Sequence, residues 1–278
     1  ATPREINRHM KSVGNIGKIT KAMKMVAAAR LRRAQEKAAA SRPYAIKIKE
    51  VLSNVVSDPS VLAGLDAKKH PLLQKREVQK VGYLVLCSDK GLAGAYSSNA
   101  LKMAVAEISE CEDEVVVITC GRKARDFFTR RGFNVIQSHI GFSDRPTYEN
   151  AVDIAQDAIK TFANEGFDKL NIIYTVFKTA LSQVPTSEVI LPVEPPVKEE
   201  GKAQASFMFE PGEDDTLTVL APKYLETVVY AALVQSAASE LGSRMTAMSS
   251  ATDNAAKLVS SLQLSYNRAR QGAITQEI

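Results

Sequence analysis

The sequence predicts an α/β fold in which two long terminal helices pair as a rod around an inserted strand–helix domain. Three observations carry that expectation. Residues 1–57 hold no proline between Pro3 and Pro43, the chain after Pro222 holds none, and the stretch from 81 to 211 alternates strand-like and helix-like runs. Termini that close a rod around a globular insert point to a structural part rather than an enzyme.

In the N-terminal segment, 1–57, the larger apolar residues fall at Ile6, Met10, Val13, Ile16, Ile19, Met23, Val26 and Leu31. Steps of three and four place them on one helical face, which predicts a buried stripe. Beyond Val26 the stripe thins to alanines. The other face carries Arg4, Arg8, Lys11, Lys18, Lys21, Arg32 and Arg33. Gly14 and Gly17 each cost a helix interior about 1 kcal/mol relative to Ala, unless they admit a close neighbouring backbone. In the C-terminal segment, 222–278, Met245, Thr252, Val259, Tyr266 and Ala273 recur every seven residues, interleaved with Met248, Ala255, Leu262 and Ala269. That is an a/d coiled-coil pattern with small knobs. Helices of this length reach about 80 Å at ~1.5 Å per residue, so part of the rod projects or is wrapped. The plainer alternative is a pair of long core helices in a bundle. It fits poorly with the polar, small-residue surface of Ser236, Ser239, Ser243, Ser249 and Ser250, which suits weak, changeable contacts.

The inserted domain, 78–211, begins with a buried-strand run at 81–88, followed by a Gly-containing turn and a helix through about Ser109. Strands are expected at 114–120, 133–138, 169–177, 187–192 and 205–211. Helices are expected at 122–131, ended by Gly132, and at 148–166; a Pro- and Lys-rich loop follows Pro192. Such alternation predicts a mostly parallel sheet.

Charge separates the parts. Residues 1–50 hold 13 Lys/Arg against 3 Asp/Glu, residues 51–221 hold 18 against 24, and residues 222–278 hold 5 against 4. The basic face therefore belongs to the first helix and expects an acidic partner. Cys87, Cys111 and Cys120 have no metal-ligand spacing and read as reduced thiols. No unbroken apolar run approaches the ~20 residues of a membrane span. No secretory signal is read, and the missing initiator Met suggests a processed or trimmed start.

Catalytic chemistry is thinly signalled. The turn Ser88-Asp89-Lys90-Gly91-Leu92-Ala93-Gly94 sits where a doubly wound sheet would bind phosphate, but it lacks both the GxxxxGK[ST] and the three-glycine patterns. A tight turn whose glycines allow close packing is the plainer reading. His9, His70 and His139 are scattered, with no Cys or carboxylate at ligand spacing. No G-x-S-x-G or HExxH motif is present. Glu213-Asp214-Asp215 reads as a capping or solvated turn. A nucleotide-binding enzyme and a basic helical nucleic-acid binder stand as alternatives, the second without interleaved aromatics or a recognition motif.

Several stretches carry a resemblance: KITKAMKMVAAARLRRAQ (18–35), SDKGLAGAYSSN (88–99), FEP (209–211), SRMTAMSSATDNA (243–255) and LQLSYNRARQGAITQEI (262–278). Together they resemble the gamma subunit, or central stalk, of F-type ATP synthases, over nearly the whole chain. The resemblance implies an antiparallel coiled coil of the N- and C-terminal helices, set in a ring of α and β subunits. A Rossmann-like α/β domain would sit below, toward the epsilon subunit and the membrane c-ring. It implies a non-catalytic rotor with no cofactor, no metal, no direct nucleotide binding and no nucleic-acid partner, peripheral on the cytoplasmic face of the bacterial inner membrane.

Residue by residue, Met23 and Lys24 match the place where the shaft meets an acidic lever loop of β, and Arg8, Arg30, Arg32 and Arg33 extend that surface. Glu240, Arg244, Arg270, Gln271 and Thr275 match positions that contact the α/β ring. Phe209, Glu210 and Pro211 match the foot near epsilon and the c-ring. The chain departs from the common S-E-Q-A-A-R at Ser239-Glu240-Leu241-Gly242-Ser243-Arg244, which puts a Gln-mediated contact there in doubt. It also stops at Ile278, before the usual Gly/Ala-rich tail, so a trimmed shaft tip is expected. The Cys-bearing insert of chloroplast relatives is missing, and thiol regulation by that route is not expected. The stretches around His70-Pro71-Leu72 and 81–88 look bacterial rather than mitochondrial.

Overall fold

The computed structural model describes residues 2–56, 69–193 and 213–276. The expected strand at 205–211, the foot residues Phe209, Glu210 and Pro211, and the lysine-rich part of the proline loop lie outside them. The chain begins with helix α1 (Pro3–Val56). Thr2 Oγ1 accepts from the Glu5 amide at 3.3 Å while the Glu5 carboxylate accepts from the Thr2 amide at 2.9 Å, a capping box with proline at the first helical position. A 3-10 turn, Pro71–Leu73, leads into strand β1 (Lys80–Leu86). Helix α2 (Tyr96–Glu110), strand β2 (Glu114–Cys120), helix α3 (Arg122–Arg130) and strand β3 (Val135–His139) follow. Helix α4 (Tyr148–Ala163) leads to strands β4 (Lys169–Phe177) and β5 (Gln183–Leu191).

The last element is helix α5 (Glu213–Gln276), 64 residues long. It starts nine residues before the expected 222 and runs through Pro222. Glu213, Asp214 and Asp215 stand in its first turn.

The sheet order is β3-β2-β1-β4-β5, parallel except where β5 pairs antiparallel with β4. Alternation along β1 divides the core. Val81, Tyr83, Val85 and Cys87 face α2 and α3 with Leu101 and Phe128. Leu84 and Leu86 face the opposite layer, where Ile154 and Phe162 of α4 meet Leu217, Leu225, Val229 and Leu233 of α5. Leu52, near the end of α1, is fully buried in that second layer. Gly121, between β2 and α3, has φ 96° and a Cβ there would stand 2.2 Å from the Cys87 carbonyl oxygen, so only glycine fits.

α1 and α5 pack antiparallel. Thr20 meets Thr252, Lys24 meets Ser249, and a Cβ on Gly17 would lie 3.3 Å from that of Ala255. The heptad read in α5 faces this seam. Met248 and Ala255 are buried and Met245, Thr252, Val259, Leu262, Tyr266 and Ala269 half-buried, while Ala273 is exposed. In α1 the expected stripe is only partly the seam. Ile6, Val13 and Leu31 are buried, but Ile16, Ile19 and Val26 are 52%, 60% and 50% exposed. The buried line runs instead through Ile6, Val13, Thr20, Ala27 and Ala34, one residue every seven. Close approach explains the difference, since an isoleucine cannot stand where Gly17 and Thr20 meet Ala255 and Thr252. The Thr20 and Thr252 hydroxyls lie 2.8 Å apart; one donates to the other, and the one that accepts donates its own proton to a carbonyl of its helix, that of Gly17 or of Met248.

α5 also contains an 18-residue window of mean hydropathy 1.4, long and apolar enough to cross a membrane by length and composition; half of that window is buried within the chain. The three cysteines are free. Burial pushes the Cys87 thiol up to about 12 and raises Cys120 as well, so neither offers thiolate at neutral pH.

Gly17→Leu is expected to destabilise the chain by about 1–3 kcal/mol through overpacking. Gly14→Ala, whose Cβ meets nothing within 4 Å, should stabilise it by about 0.5–1 kcal/mol. Urea midpoints of the two variants check both signs. In native buffer a thiol reagent should modify half-buried Cys111 alone, and mass spectrometry of the digested chain reads which cysteines carry the label.

Candidate functional site

The strand order reverses direction of growth between β1 and β4, and the crevice above their carboxyl ends is where a doubly wound sheet binds a ligand. Here the chain fills that crevice with α5. The Thr175 amide of β4 donates to Ser236 Oγ at 3.2 Å, Ser239 Oγ donates to the Thr175 carbonyl at 2.9 Å, and the Phe177 amide donates to Gln235 Oε1 at 3.1 Å. Ser243 Oγ donates to the Ala93 carbonyl at 2.7 Å. The Arg244 guanidinium reaches the carbonyls of Lys90 and Gly91 at 3.4 and 3.3 Å. Gly94, at φ 55°, lies so close that a Cβ would stand 2.9 Å from Ser243 Oγ. The turn at 88–94 is therefore packed against the chain's own helix, as the plainer reading had it. Ser236, Ser239 and Ser243 are not a weak, changeable surface. They satisfy β4 and the turn, while Ser249 accepts from Lys24 at 2.9 Å and Ser250 is exposed.

Asp89 ties the other side of the turn. Its carboxylate accepts the amides of Arg122 at 3.1 Å, Gly141 at 2.9 Å and Ser143 at 3.0 Å. Burial opposes its ionisation, but these backbone donors outweigh burial and hold the carboxyl below its ordinary value. Asp144, in the same loop as Ser143, pairs with Arg30 of α1 and lies 3.6 Å from Lys90 Nζ. Glu240 is wholly buried and ion-paired to Arg244 at 2.7 Å. Burial raises the Glu240 carboxyl, with Arg244 pulling the other way.

The residues matched to the gamma family separate into three groups. On α1, Arg8, Lys24, Arg32 and Arg33 are exposed and Met23 is half-buried; Lys24 binds Ser249, and Arg32 pairs with Glu36 at 3.2 Å. Near the end of α5, Arg270, Gln271 and Thr275 are exposed, with Thr275 Oγ1 donating back to the Gln271 carbonyl. Arg30, Glu240 and Arg244 are turned inward to partners within the chain. The structure adds what the sequence reading had placed in the seam, an exposed ridge of Ile16, Ile19 and Val26 beside Met23. Ile16, Met23 and Arg30 stand seven residues apart, so in a coiled coil they share one flank. The Arg30–Asp144 pair shows that this flank points toward the side where the turn at 88–94 lies. Leu92, 65% exposed at φ 62°, is that turn's outermost apolar residue.

The full extent of the chain is matched by known proteins. Residues 2–278 match the sequence profile of the ATP synthase family. The ATP synthase gamma chain of Brevibacillus brevis is 48% identical, over 99% of this chain and 94% of the relative. That of Desulfitobacterium hafniense is 43% identical, over 100% of this chain and 96% of its own. Among solved structures, the central stalk/c-ring of the Tetrahymena thermophila mitochondrial ATP synthase superposes with a TM-score of 0.62 at 24% identity, covering 84% of this chain and 99% of that one. A chain of the Euglena gracilis mitochondrial ATP synthase superposes with a TM-score of 0.64 at 18% identity, covering 99% and 90%. At those identities the superpositions speak for the fold, and the bacterial relatives speak for the family. The chain belongs to the ATP synthase gamma chain family.

Proposed function

We propose that this chain is the central rotor shaft of an F-type ATP synthase, coupling ion-driven rotation of a membrane c-ring to conformational cycling of catalytic β subunits. The observation that carries the reading is the paired coil itself. Its small-residue seam buries Thr20, Ala27 and Ala34 and leaves cations and a ridge of Ile16, Ile19 and Val26, beside half-buried Met23, facing outward. A helix of 64 residues spans about 96 Å at ~1.5 Å per residue, more than the α/β domain alone can cover. An outward apolar ridge flanked by Lys and Arg suits repeated contact with a surrounding protein bearing apolar and acidic groups.

In this role the chain breaks no bond. It works among α and β subunits above and the epsilon subunit and c-ring below, on the cytoplasmic face of the bacterial inner membrane. Contacts of Lys24, Arg8, Arg32 and Arg33 with acidic loops are worth roughly 1 kcal/mol or less each near water, weak enough to form and break in sequence around a ring.

Native mass spectrometry of the complex captured through this chain should show one copy with three α and three β subunits; recovery of the chain alone would count against the rotor. Met23→Lys adds a cation on the flank that faces the ring. The added attraction of about 1 kcal/mol is about fivefold in a local equilibrium. It should lower the ratio of ions pumped to ATP hydrolysed in inverted vesicles, and an unchanged ratio would remove Met23 from the interface.

A further inference from the structure

α5 fills the crevice above β1 and β4, but an opening is left on the α2–α3 side of the turn at 88–94. It is a cavity of about 460 Å³ between the two helices, with the turn as its roof. Leu101 of α2 and Phe127 of α3 line it with apolar surface, and Lys90, Lys123, Arg130 and Arg131 bring cations to it. Lys123, Phe127 and Arg130 follow one another along α3 at steps of four and three, so they share one face of the helix. The two cations therefore stand at either end of an apolar stretch about 10 Å long.

Charge here runs against the rest of the domain. Residues 51–221 hold 18 Lys/Arg against 24 Asp/Glu, whereas residues 122–131 hold five against one. Among the described residues a single carboxylate lines the cavity, that of Asp126, and Arg125 holds it at 2.8 Å. Lys123, Arg130 and Arg131 form no ion pair among the described residues. Arg131 lies 3.9 Å from the centre of the Phe127 ring, which sets its guanidinium against the cavity wall. Lys123 reaches the roof, where a Cβ on Gly91 would stand 4.0 Å from its Cε and Nζ. Like charges gathered in this way repel one another, and an arriving anion relieves that repulsion.

The geometry points to a binding site for a compound that carries a diphosphate group, with Lys123 and Arg130 taking the phosphoryl oxygens and Lys90 and Arg131 closing round them. A single phosphate is too short to meet cations two helical turns apart, and a diphosphate spreads its charge further. Arginine forks match pairs of phosphate oxygens. The Phe127 and Leu101 surface between the cations suits a planar or apolar body attached to the diphosphate, and the cavity falls within the ~300–1,000 Å³ that small ligands occupy. Family resemblance implies no such ligand. The inference stands apart from the rotor reading, and either can fail without the other.

The test is calorimetric titration of the purified full chain with inorganic pyrophosphate and, separately, with ADP. The chain is used by itself because catalytic subunits would take the same probes. Saturable binding of one ligand per chain is expected. ADP binding at least tenfold tighter than pyrophosphate would assign the apolar surface to a nucleoside, and equal affinities would assign the site to the diphosphate alone. Lys123→Gln with Arg130→Gln, both at exposed positions, should weaken binding at least tenfold. Lys102→Gln with Arg145→Gln removes the same charge from exposed positions outside the cavity and should change it less than twofold. Asp126→Asn removes the one lining carboxylate and should tighten binding about two- to fivefold. Absence of saturable binding by either probe would overturn the inference. So would equal losses from the two double variants, which would mean a diffuse field rather than a site, or an Asp126→Asn chain that binds no tighter.

Discussion

One helix must satisfy two partners along its length, and the rest of the structure follows from how α5 does so. Between Leu217 and Leu233 it turns large side chains into the layer shared with α4 and the sheet, where Leu217, Leu225 and Val229 are wholly buried. Burial of each such side chain contributes about 1.5–3 kcal/mol. From Met245 onward its inward positions are Met, Thr, Ala, Val, Leu and Tyr, and beyond Ala255 none of the described residues is fully buried. The same helix is therefore firmly seated near the domain and lightly held toward its far end. In the short stretch between these regimes it supplies Ser236, Ser239, Ser243 and Arg244 to the crevice of the sheet. Hydroxyls suit that junction because exposed strand ends offer amides and carbonyls that would otherwise be buried without partners.

The electrostatics follow the same division. α1 carries the excess of positive charge, 13 Lys/Arg against 3 Asp/Glu in residues 1–50, and Arg30 among them is turned to the domain, through Asp144. The remaining cations stay wet, and a wet cation binds weakly and reversibly. Inside the junction the opposite holds. Asp89 is kept ionised by backbone amides despite burial, and Glu240 is buried so deeply that even Arg244 does not offset the cost. The exposed charges stay in water, and charges that fix the frame are buried with dedicated counterions or amides.

How much of this was legible in the sequence depended on whether the signal was local. β4 coincides with the apolar run at 169–177, and the seven-residue spacing of α5 marked its seam. The α1 seam was misread because large apolar residues were taken as the buried ones. Close packing instead selected Gly17, Thr20 and Ala27, and released Ile16, Ile19 and Val26 to the surface. Hydrophobicity alone cannot register a position chosen for smallness. The Arg30–Asp144 pair joins residues 114 apart, and Arg244 meets carbonyls more than 150 positions away. No spacing rule reaches that far. The serines of α5 misled for the same reason, since their acceptors and donors lie on another element. Pro222 suggested a helix start, and the acidic residues before it turned out to be the first turn.

Attachment of α1 is what gives the coil its mechanical character. The helix is fixed to the domain at two heights, by Leu52 in the core and by Arg30 at Asp144. Above Arg30 its packing is against α5 across the small-residue seam. Any twist applied through the domain thus enters α5 over a broad buried surface, and reaches the Met23 flank of α1 both directly, through Arg30, and across the seam. The two routes meet within about 10 Å of each other, since Met23 and Arg30 are two turns apart. A flank braced in this way can be pressed against a neighbour without the helices parting, although its own seam buries little apolar area. Small residues at Gly17 and Ala255 are then an advantage rather than a weakness. They bring the two backbones together, and closely spaced backbones resist shear better than long side chains with free rotamers.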